Sequence, residues 1–243
     1  MRAKYLGLDL PSPIIVSSSP YTSNVKSVEQ CAASGAGAVV LKSIFEEQIL
    51  HHAAALDAVS DSAYGDAEVY LQRYLGEDYK AGFLRLVQEA RSKTDLPVIA
   101  SINCVADKGD WIEYATAMAD AGASALELNI FIQPTDIHAQ ARELELNYAE
   151  IVGRVAGAVK IPVSVKLPMR LTNVFALSSA LLGYGARGVV FFNRFFEPDV
   201  DVERMTFVES SPYSEPTELR NVLRMVAVSY THLRAHETCA DLV

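Results

Sequence analysis

The chain holds only three cysteines in 243 residues, Cys31, Cys104 and Cys239. So few and so scattered, they exclude a disulfide framework as the source of stability. No apolar run reaches the ~18 residues of a membrane span, so no membrane association is expected. Positive charge is in deficit: 21 Lys and Arg face 30 Asp and Glu, for a formal charge of −9. Sequence-independent nucleic-acid binding needs a basic surface, so no nucleic-acid partner is expected. The acidic excess reads instead as a solvated surface that aids solubility. The opening Met1-Arg-Ala-Lys-Tyr5 runs into Gly7, Asp9 and Pro11 rather than an apolar core, which predicts no export signal and a cytoplasmic protein. No His/Cys/Asp cluster has metal-ligand spacing, and no Gly-rich phosphate loop of the P-loop or dinucleotide type is present. His232 and His236 lie one helical turn apart with Cys239 nearby, but without an acidic partner they are not assigned a metal.

What is present is organised around Ala121-Gly-Ala-Ser-Ala-Leu-Glu-Leu-Asn129 and the following Ile130-Phe-Ile-Gln-Pro134. This reads as a helix end, a tight Gly turn, a short buried strand, and a functional loop at the strand's carboxyl end. Leu126 and Leu128 point one way along the strand, Glu127 and Asn129 the other. The same grammar recurs in Gly35-Ala-Gly-Ala-Val-Val-Leu-Lys42 and in Gly185-Ala-Arg-Gly-Val-Val-Phe-Phe-Asn193. A second cassette alternates with it, Asp95-Leu-Pro-Val-Ile-Ala-Ser-Ile102 and Lys160-Ile-Pro-Val-Ser-Val-Lys-Leu167. Strand, crossover helix and strand in succession predict a parallel sheet with helices outside it. Half the residues are apolar, enough for a real core in one large domain or two small ones.

In chain order, Tyr5 to Leu10 predicts a lead-in strand or hairpin, and Pro13 to Ser18 the first buried strand. A helix is expected over Ser27 to Ser34, capped by Ser27. Strand two is Ala38 to Lys42. Residues 43–78 form a long connection, with helix-forming composition from Glu46 to Ala55. Tyr79 to Lys93 predicts an amphipathic helix with Phe83, Leu86, Val87 and Ala90 on one face. Val98 to Ile102 is strand three, followed by a helix over Asp107 to Ala121 that carries Trp111. Strand four is Ala125 to Asn129, then a helix from Glu143 to Val159. Strand five is Val163 to Leu167, then a helix from Val174 to Leu182. Strand six is Gly188 to Phe192. A long loop runs to Pro216, and Thr217 caps a last helix from Glu218 to about Val228.

That makes six strand–helix units, and an open doubly wound sheet is one arrangement of them. The parity favours a (β/α)8-type barrel with about six of its units present. Ser101 and Asn103 oppose Ala100 and Ile102; Glu127 and Asn129 oppose Leu126 and Leu128; Ser164 and Lys166 oppose Val163, Val165 and Leu167. Polar residues gathered toward strand ends suit a barrel mouth, where such folds place their sites. The stretch Ser229-Tyr-Thr-His-Leu-Arg-Ala-His-Glu-Thr238 breaks the apolar pattern in mid-helix. It resembles translated adaptor read-through. The expectation is therefore a barrel domain over residues 1–228, lacking its last two units, and a non-native tail over 229–243.

The polar residues at strand ends are Ser17 and Ser18, Lys42 and Ser43, Asn103, Asn129, Lys166 and Asn193. Two lysines and several amides, with little carboxylate, favour an anionic or electron-rich ligand with carbonyls and ring nitrogens. A flavin is such a ligand: a lysine beside its pyrimidine ring stabilises the reduced form, and amides fix the ring edges.

On these residues the chain resembles the FMN-dependent dihydroorotate dehydrogenase family, and more closely its dihydroorotate dehydrogenase-like subgroup, from about Leu6 to about Val228. The family's first-strand Ala-Ser-Gly corresponds to Ser17-Ser18-Ser19, and its Thr-Lys-Ser to Leu41-Lys42-Ser43. Its Val-Lys-Leu-Pro is intact as Val165-Lys166-Leu167-Pro168, and its sixth-strand asparagine corresponds to Asn193. The resemblance implies that Ser17, Ser18, Lys42, Ser43, Asn103, Asn129, Lys166 and Asn193 bind FMN. It implies too that Asn129 and Asn193 hold a small-molecule substrate ring and that the protein forms a homodimer. The departure is at Leu128-Asn129-Ile130-Phe131-Ile132-Gln133-Pro134, where the family has Leu-Asn-Leu-Ser-Cys-Pro-Asn. The catalytic base position falls on Ile132, which cannot accept a proton, and the second substrate asparagine falls on Pro134. Cys104 is one candidate for a relocated base; His51 and His52 lie in a connection that could act as a lid. The first expectation is an FMN-dependent oxidoreductase of pyrimidine biosynthesis type whose catalytic base is unknown. The alternatives are a non-catalytic flavin-binding or regulatory protein, and a phosphate-sugar isomerase or aldolase using Lys166 as a Schiff-base lysine. The family's phosphate-binding loops follow strands seven and eight, so weak FMN binding is expected of this chain.

Overall fold

The structure is a computed structural model and describes residues 2–45, 80–103, 111–132, 136–193, 198–209, 215–233 and 241–242. Glu46 to Ala55, His51, His52, Cys104, Gln133 and Pro134 lie outside the described residues. The chain opens with an antiparallel hairpin, β1 (Ala3–Tyr5) and β2 (Leu8–Leu10). There follow β3 (Ile15–Val16), a 3₁₀ turn over Pro20–Ser23, and α1 (Val25–Ala33). Next come β4 (Ala38–Val40), β5 (Ile44–Phe45) and α2 (80–93). Then β6 (Val98–Asn103), α3 (Trp111–Asp120), β7 (Ala125–Asn129) and α4 (Ala141–Ala158) alternate. So do β8 (Val163–Pro168), α5 (Val174–Gly183) and β9 (Gly188–Asn193). A hairpin of β10 (Pro198–Asp201) and β11 (Thr206–Glu209), the helix α6 (Glu218–Leu233) and β12 (Asp241–Leu242) complete it.

The sheet runs β12-β9-β8-β7-β6-β4-β3, with β5 paired to β6, and every pairing in it is parallel. It curls into a half-barrel with the helices outside, the partial (β/α)8 arrangement that alternating strands and helices encode. Three of the turns from helix back to strand pass through a glycine at positive φ: Gly35 (φ 84) before β4, Gly122 (φ 96) before β7 and Gly185 (φ 108) before β9.

Strand parity divides the interior. Val98, Ala100, Ile102, Leu126, Leu128, Val163, Val165 and Leu167 face the helices and join one core with Val87, Met118, Val152, Val155 and Leu181. Ala38, Val40, Ile99 and Ala125 face the other way and are covered by Tyr5, Leu6 and Leu10 from the first hairpin. The hairpin therefore plugs the barrel floor at the amino ends of the strands.

Several expectations need correction. Strand one is two residues long, Ile15–Val16, and not Pro13 to Ser18. The cap of α1 is Asn24, whose side chain accepts a hydrogen bond from the Ser27 N–H at 3.0 Å; Ser27 sits inside the first turn. The loop before Pro216 contains the β10–β11 hairpin, whose turn is set by Asp201 accepting from the backbone N–H groups of Glu203 and Arg204. The last helix does not end near Val228 but continues to Leu233. At Ser229 the helix carries a buried hydroxyl with no hydrogen-bond partner among the described residues.

Candidate functional site at the strand ends

Two residues further along each inner face, the apolar floor gives way to polar groups. On β6 the sequence is Ile99, Ser101, Asn103, and on β7 it is Ala125, Glu127, Asn129. On β8 Ser164 is followed by Lys166. The register aligns these rows: Ser101 pairs with Glu127, Glu127 with Ser164, and Asn129 with Lys166. Parallel pairing brings equivalent positions of neighbouring strands side by side, so inner-face residues from β6, β7 and β8 form one surface.

Three features make up that surface. The first is a chain of hydroxyls. Ser18 Oγ lies 3.1 Å from Ser43 Oγ, and Ser43 Oγ lies 2.7 Å from Ser101 Oγ. The Ser43 N–H also donates to Ser18 Oγ at 3.0 Å, which ties the end of strand one to the segment after β4. Ser17, by contrast, is exposed.

The second is an amide pair. Asn193 Nδ2 donates to Asn129 Oδ1 at 2.7 Å across 64 residues of sequence. A register shift between Leu167 and Pro168 places Asn193 opposite Pro168. The bond consumes one donor and one acceptor, which leaves the pair an amide nitrogen on Asn129 and a carbonyl oxygen on Asn193 for a ligand.

The third is charged. Lys166 Nζ is 3.6 Å from Glu127 Oε1, with both side chains largely buried. That is an ion pair longer than a hydrogen bond, and Glu127 Oε1 has no hydrogen-bond partner among the described residues. Burial pushes the Glu127 carboxyl above the usual carboxylate range; the Lys166 ammonium, and then the Ser101 hydroxyl, oppose that rise. Burial also lowers the Lys42 ammonium from its ordinary value, and repulsion from Lys166 lowers it further. Both lysines therefore share one electrostatic environment.

The structure thus brings Ser18, Ser43, Asn129, Asn193, Lys42 and Lys166 to the carboxyl ends of the strands. Asn103 ends β6, half-buried and in register with Phe45. Ser101 and Glu127 belong to the site although strand ends alone do not name them. The signal was the parity of β6 and β7, which places both on the inner face. The expectation of little carboxylate needs qualification, because Glu127 puts a buried one next to Lys166.

The loop after β7 is fixed from outside the barrel. Ile130 is buried, and the Ile132 N–H donates to Tyr148 Oη of α4 at 3.2 Å. The side chain of Ile132 packs against the main apolar core. Among the described residues no group of three or more His, Cys, Asp and Glu could hold a metal, and no helix is long and apolar enough to cross a membrane.

No family model matches the chain. Among curated proteins it is 35% identical over 123 residues to the "Putative dihydroorotate dehydrogenase A (fumarate)" of Aeropyrum pernix, covering 49% of this chain and 38% of that protein. It is 29% identical over 204 residues to the catalytic subunit of dihydroorotate dehydrogenase B (NAD(+)) of Methanocella arvoryzae, covering 81% of this chain and 62% of the relative. The corresponding subunit of Methanosarcina mazei is 28% identical over 199 residues, with the same shares covered. The chain therefore spans less than two thirds of the length of these relatives.

Proposed function

We propose that the chain is the flavin-ring-binding part of an FMN-dependent oxidoreductase of the dihydroorotate dehydrogenase type. The observation that carries this reading is the convergence of Lys166, the Asn129–Asn193 amide pair and the Ser18–Ser43–Ser101 chain on one surface. The names of the curated relatives support the same reaction class.

The donor set fits the group. A flavin pyrimidine ring alternates carbonyl oxygens and ring nitrogens, and Asn129 with Asn193 offers an adjacent donor and acceptor to such an edge. Lys166 and Lys42 supply positive charge at the same mouth, and Ser18 and Ser43 add hydroxyls. FMN, when bound, supplies the capacity to accept a hydride. The chain's own residues bind and orient the ring, and Asn129 and Asn193 also reach a small planar substrate. Ile132 cannot take a proton from substrate carbon, and the loss of a positioned base typically costs ~10²–10⁴-fold in rate. Dihydroorotate is accordingly not fixed as the substrate.

A second reading is a flavin-binding protein without catalysis. The specific observation in its favour is that the partly buried Ile132 side chain, at the position of the family's base, packs against the apolar core.

The test is a fluorescence titration of the 243-residue chain with FMN and, separately, with riboflavin. The groups named here address the ring, so quenching of both flavins with comparable affinity is expected. No quenching of either at millimolar concentration would remove the flavin reading. Anaerobic addition of dihydroorotate to the flavin-loaded protein then separates the two readings. Bleaching of the visible band means dehydrogenation; a band that stays oxidised favours binding without that chemistry.

A further inference from the structure

Every polar group in the site finds a role in holding a ligand except Glu127. It is the one carboxylate on the inner face of β6, β7 and β8 among the described residues, and it is only 4% exposed. It sits one row deeper than Asn129 and above the apolar layer of Ile99, Ala125 and Tyr5. A carboxylate in that place is costly unless a neighbour compensates it. Among the described residues its charged partner is Lys166, across the register on β8. Lys42 repels Lys166, and Ser101, Ser164 and Asn129 are uncharged. Among the described residues, the layer below adds one titratable group, the phenol of Tyr5.

We infer that Glu127 is the positioning residue for Lys166: its buried carboxylate holds the ammonium down toward the Ser101–Glu127–Ser164 row, beneath the mouth, and offsets the repulsion from Lys42. The ion pair then acts as a restraint with two settings. With Glu127 ionised, Lys166 is drawn down toward the Glu127 row and lies beneath whatever occupies the mouth. With Glu127 protonated, the attraction is lost and the lysine is released toward the mouth. The 3.6 Å separation suits such a restraint, since the pair is held by charge attraction at more than hydrogen-bond length. The proposal concerns the ligand-free chain and does not depend on the flavin reading, although a flavin would sense the same movement.

The experiment is site-resolved amine labelling of the ligand-free protein, with the modification of Lys166 expressed relative to the exposed Lys26. In Glu127→Gln the ratio is expected to rise several-fold, and Glu127→Asp should restore part of the protection. An unchanged ratio in Glu127→Gln would overturn the proposal. Should Glu127→Gln fail to fold, the unsubstituted chain is labelled across the whole pH range in which it stays folded. There the ratio should fall with rising pH as Glu127 ionises, and a flat ratio would count against it. FMN titration of Glu127→Gln supplies a separate readout. If no variant binds FMN but the labelling ratio moves, the flavin reading fails and the positioning role stands. If FMN binds with unchanged affinity and the ratio is also unchanged, the positioning role fails alone.

Discussion

The floor and the mouth of the half-barrel are built from the same strands and the same parity, yet they differ in almost every respect. At the floor Ala38, Val40, Ile99 and Ala125 pack under Tyr5, Leu6 and Leu10. One row higher stand Ser101, Glu127 and Ser164, and above them Asn129 and Lys166. The comparison teaches how a parallel sheet divides its work. The amino ends of the strands are filled by apolar contact and hold the fold together. The carboxyl ends are filled by polar groups that satisfy one another only in part, and so remain able to bind.

The sharpest way to break this division is to remove the charge at its boundary. Lys166→Met leaves Glu127 buried without its counter-charge, and breaking such a pair costs ~3–5 kcal/mol where the carboxylate is ionised. The sign of the pH effect follows from Glu127, whose folded value lies above its ordinary one. Between those two values the folded chain keeps a proton that the unfolded chain has released, so this group's contribution to stability falls as pH rises. Without Lys166 to oppose it, that fall should be steeper. Urea midpoints at mildly acid and mildly alkaline pH should therefore diverge more in Lys166→Met than in the natural chain. Parallel curves would mean that the pair is not coupled in the folded state.

The floor is tested by Ile99→Ala, two residues below Ser101 on the same face. Ile99 is almost wholly buried, and a truncation of this kind costs ~2–5 kcal/mol. The fall should be the same at both pH values, and flavin-ring affinity in the folded protein should change by less than about threefold, well under 1 kcal/mol. A large loss of affinity at unchanged stability would invert the proposed roles of the two ends.

At the mouth, Asn193→Ala removes one half-buried hydrogen bond, with a stability cost of ~0.5–1.5 kcal/mol. Ring affinity should fall about tenfold, because the acceptor beside Asn129 is gone. Equilibrium unfolding and flavin titration of the same variant give the two numbers, and a stability loss without an affinity loss would make the amide pair structural.

How much of this was legible before the structure depended on whether a residue's role was local. The strands from β6 to β9 were readable because alternation and Gly turns are written along the chain, and their ends fell within about two residues of expectation. That Lys42, Asn129, Lys166 and Asn193 stand at strand ends was readable along the chain, but Asn193 meets Asn129 only through the register shift opposite Pro168, which no local pattern announces. Glu127 was placed on the correct face but not in the site, because its significance lies in the partner on β8. That pairing belongs to the register and not to the local sequence. Asn24 was passed over as a cap in favour of Ser27, since both residue types suit the role and only the backbone decides which is outside the helix. The β10–β11 hairpin was missed for a different reason. Val200 on β10 and Phe207 on β11 are both exposed, so no alternation between a buried and a solvated face marks it as strand.

The smallest expected effect concerns the loop that joins the two ends of the comparison. Tyr148 on α4 belongs to the outer core, yet its hydroxyl accepts the N–H of Ile132 at the mouth. Burial raises the Tyr148 phenol, and the hydrogen bond from the Ile132 backbone works against that rise. The phenol is thus held in its neutral form, able to accept this bond throughout the neutral range. Tyr148→Phe keeps the ring in the core and removes only the acceptor, so the global cost should be about 0.5–1 kcal/mol. The informative readout is local. Amide exchange at Ile132 should accelerate, while exchange at Leu126 and Leu128 in β7 should follow the small global change. If Leu126 and Leu128 accelerate as much as Ile132, the loop and the strand open as one unit, and the mouth is not separable from the fold that carries it.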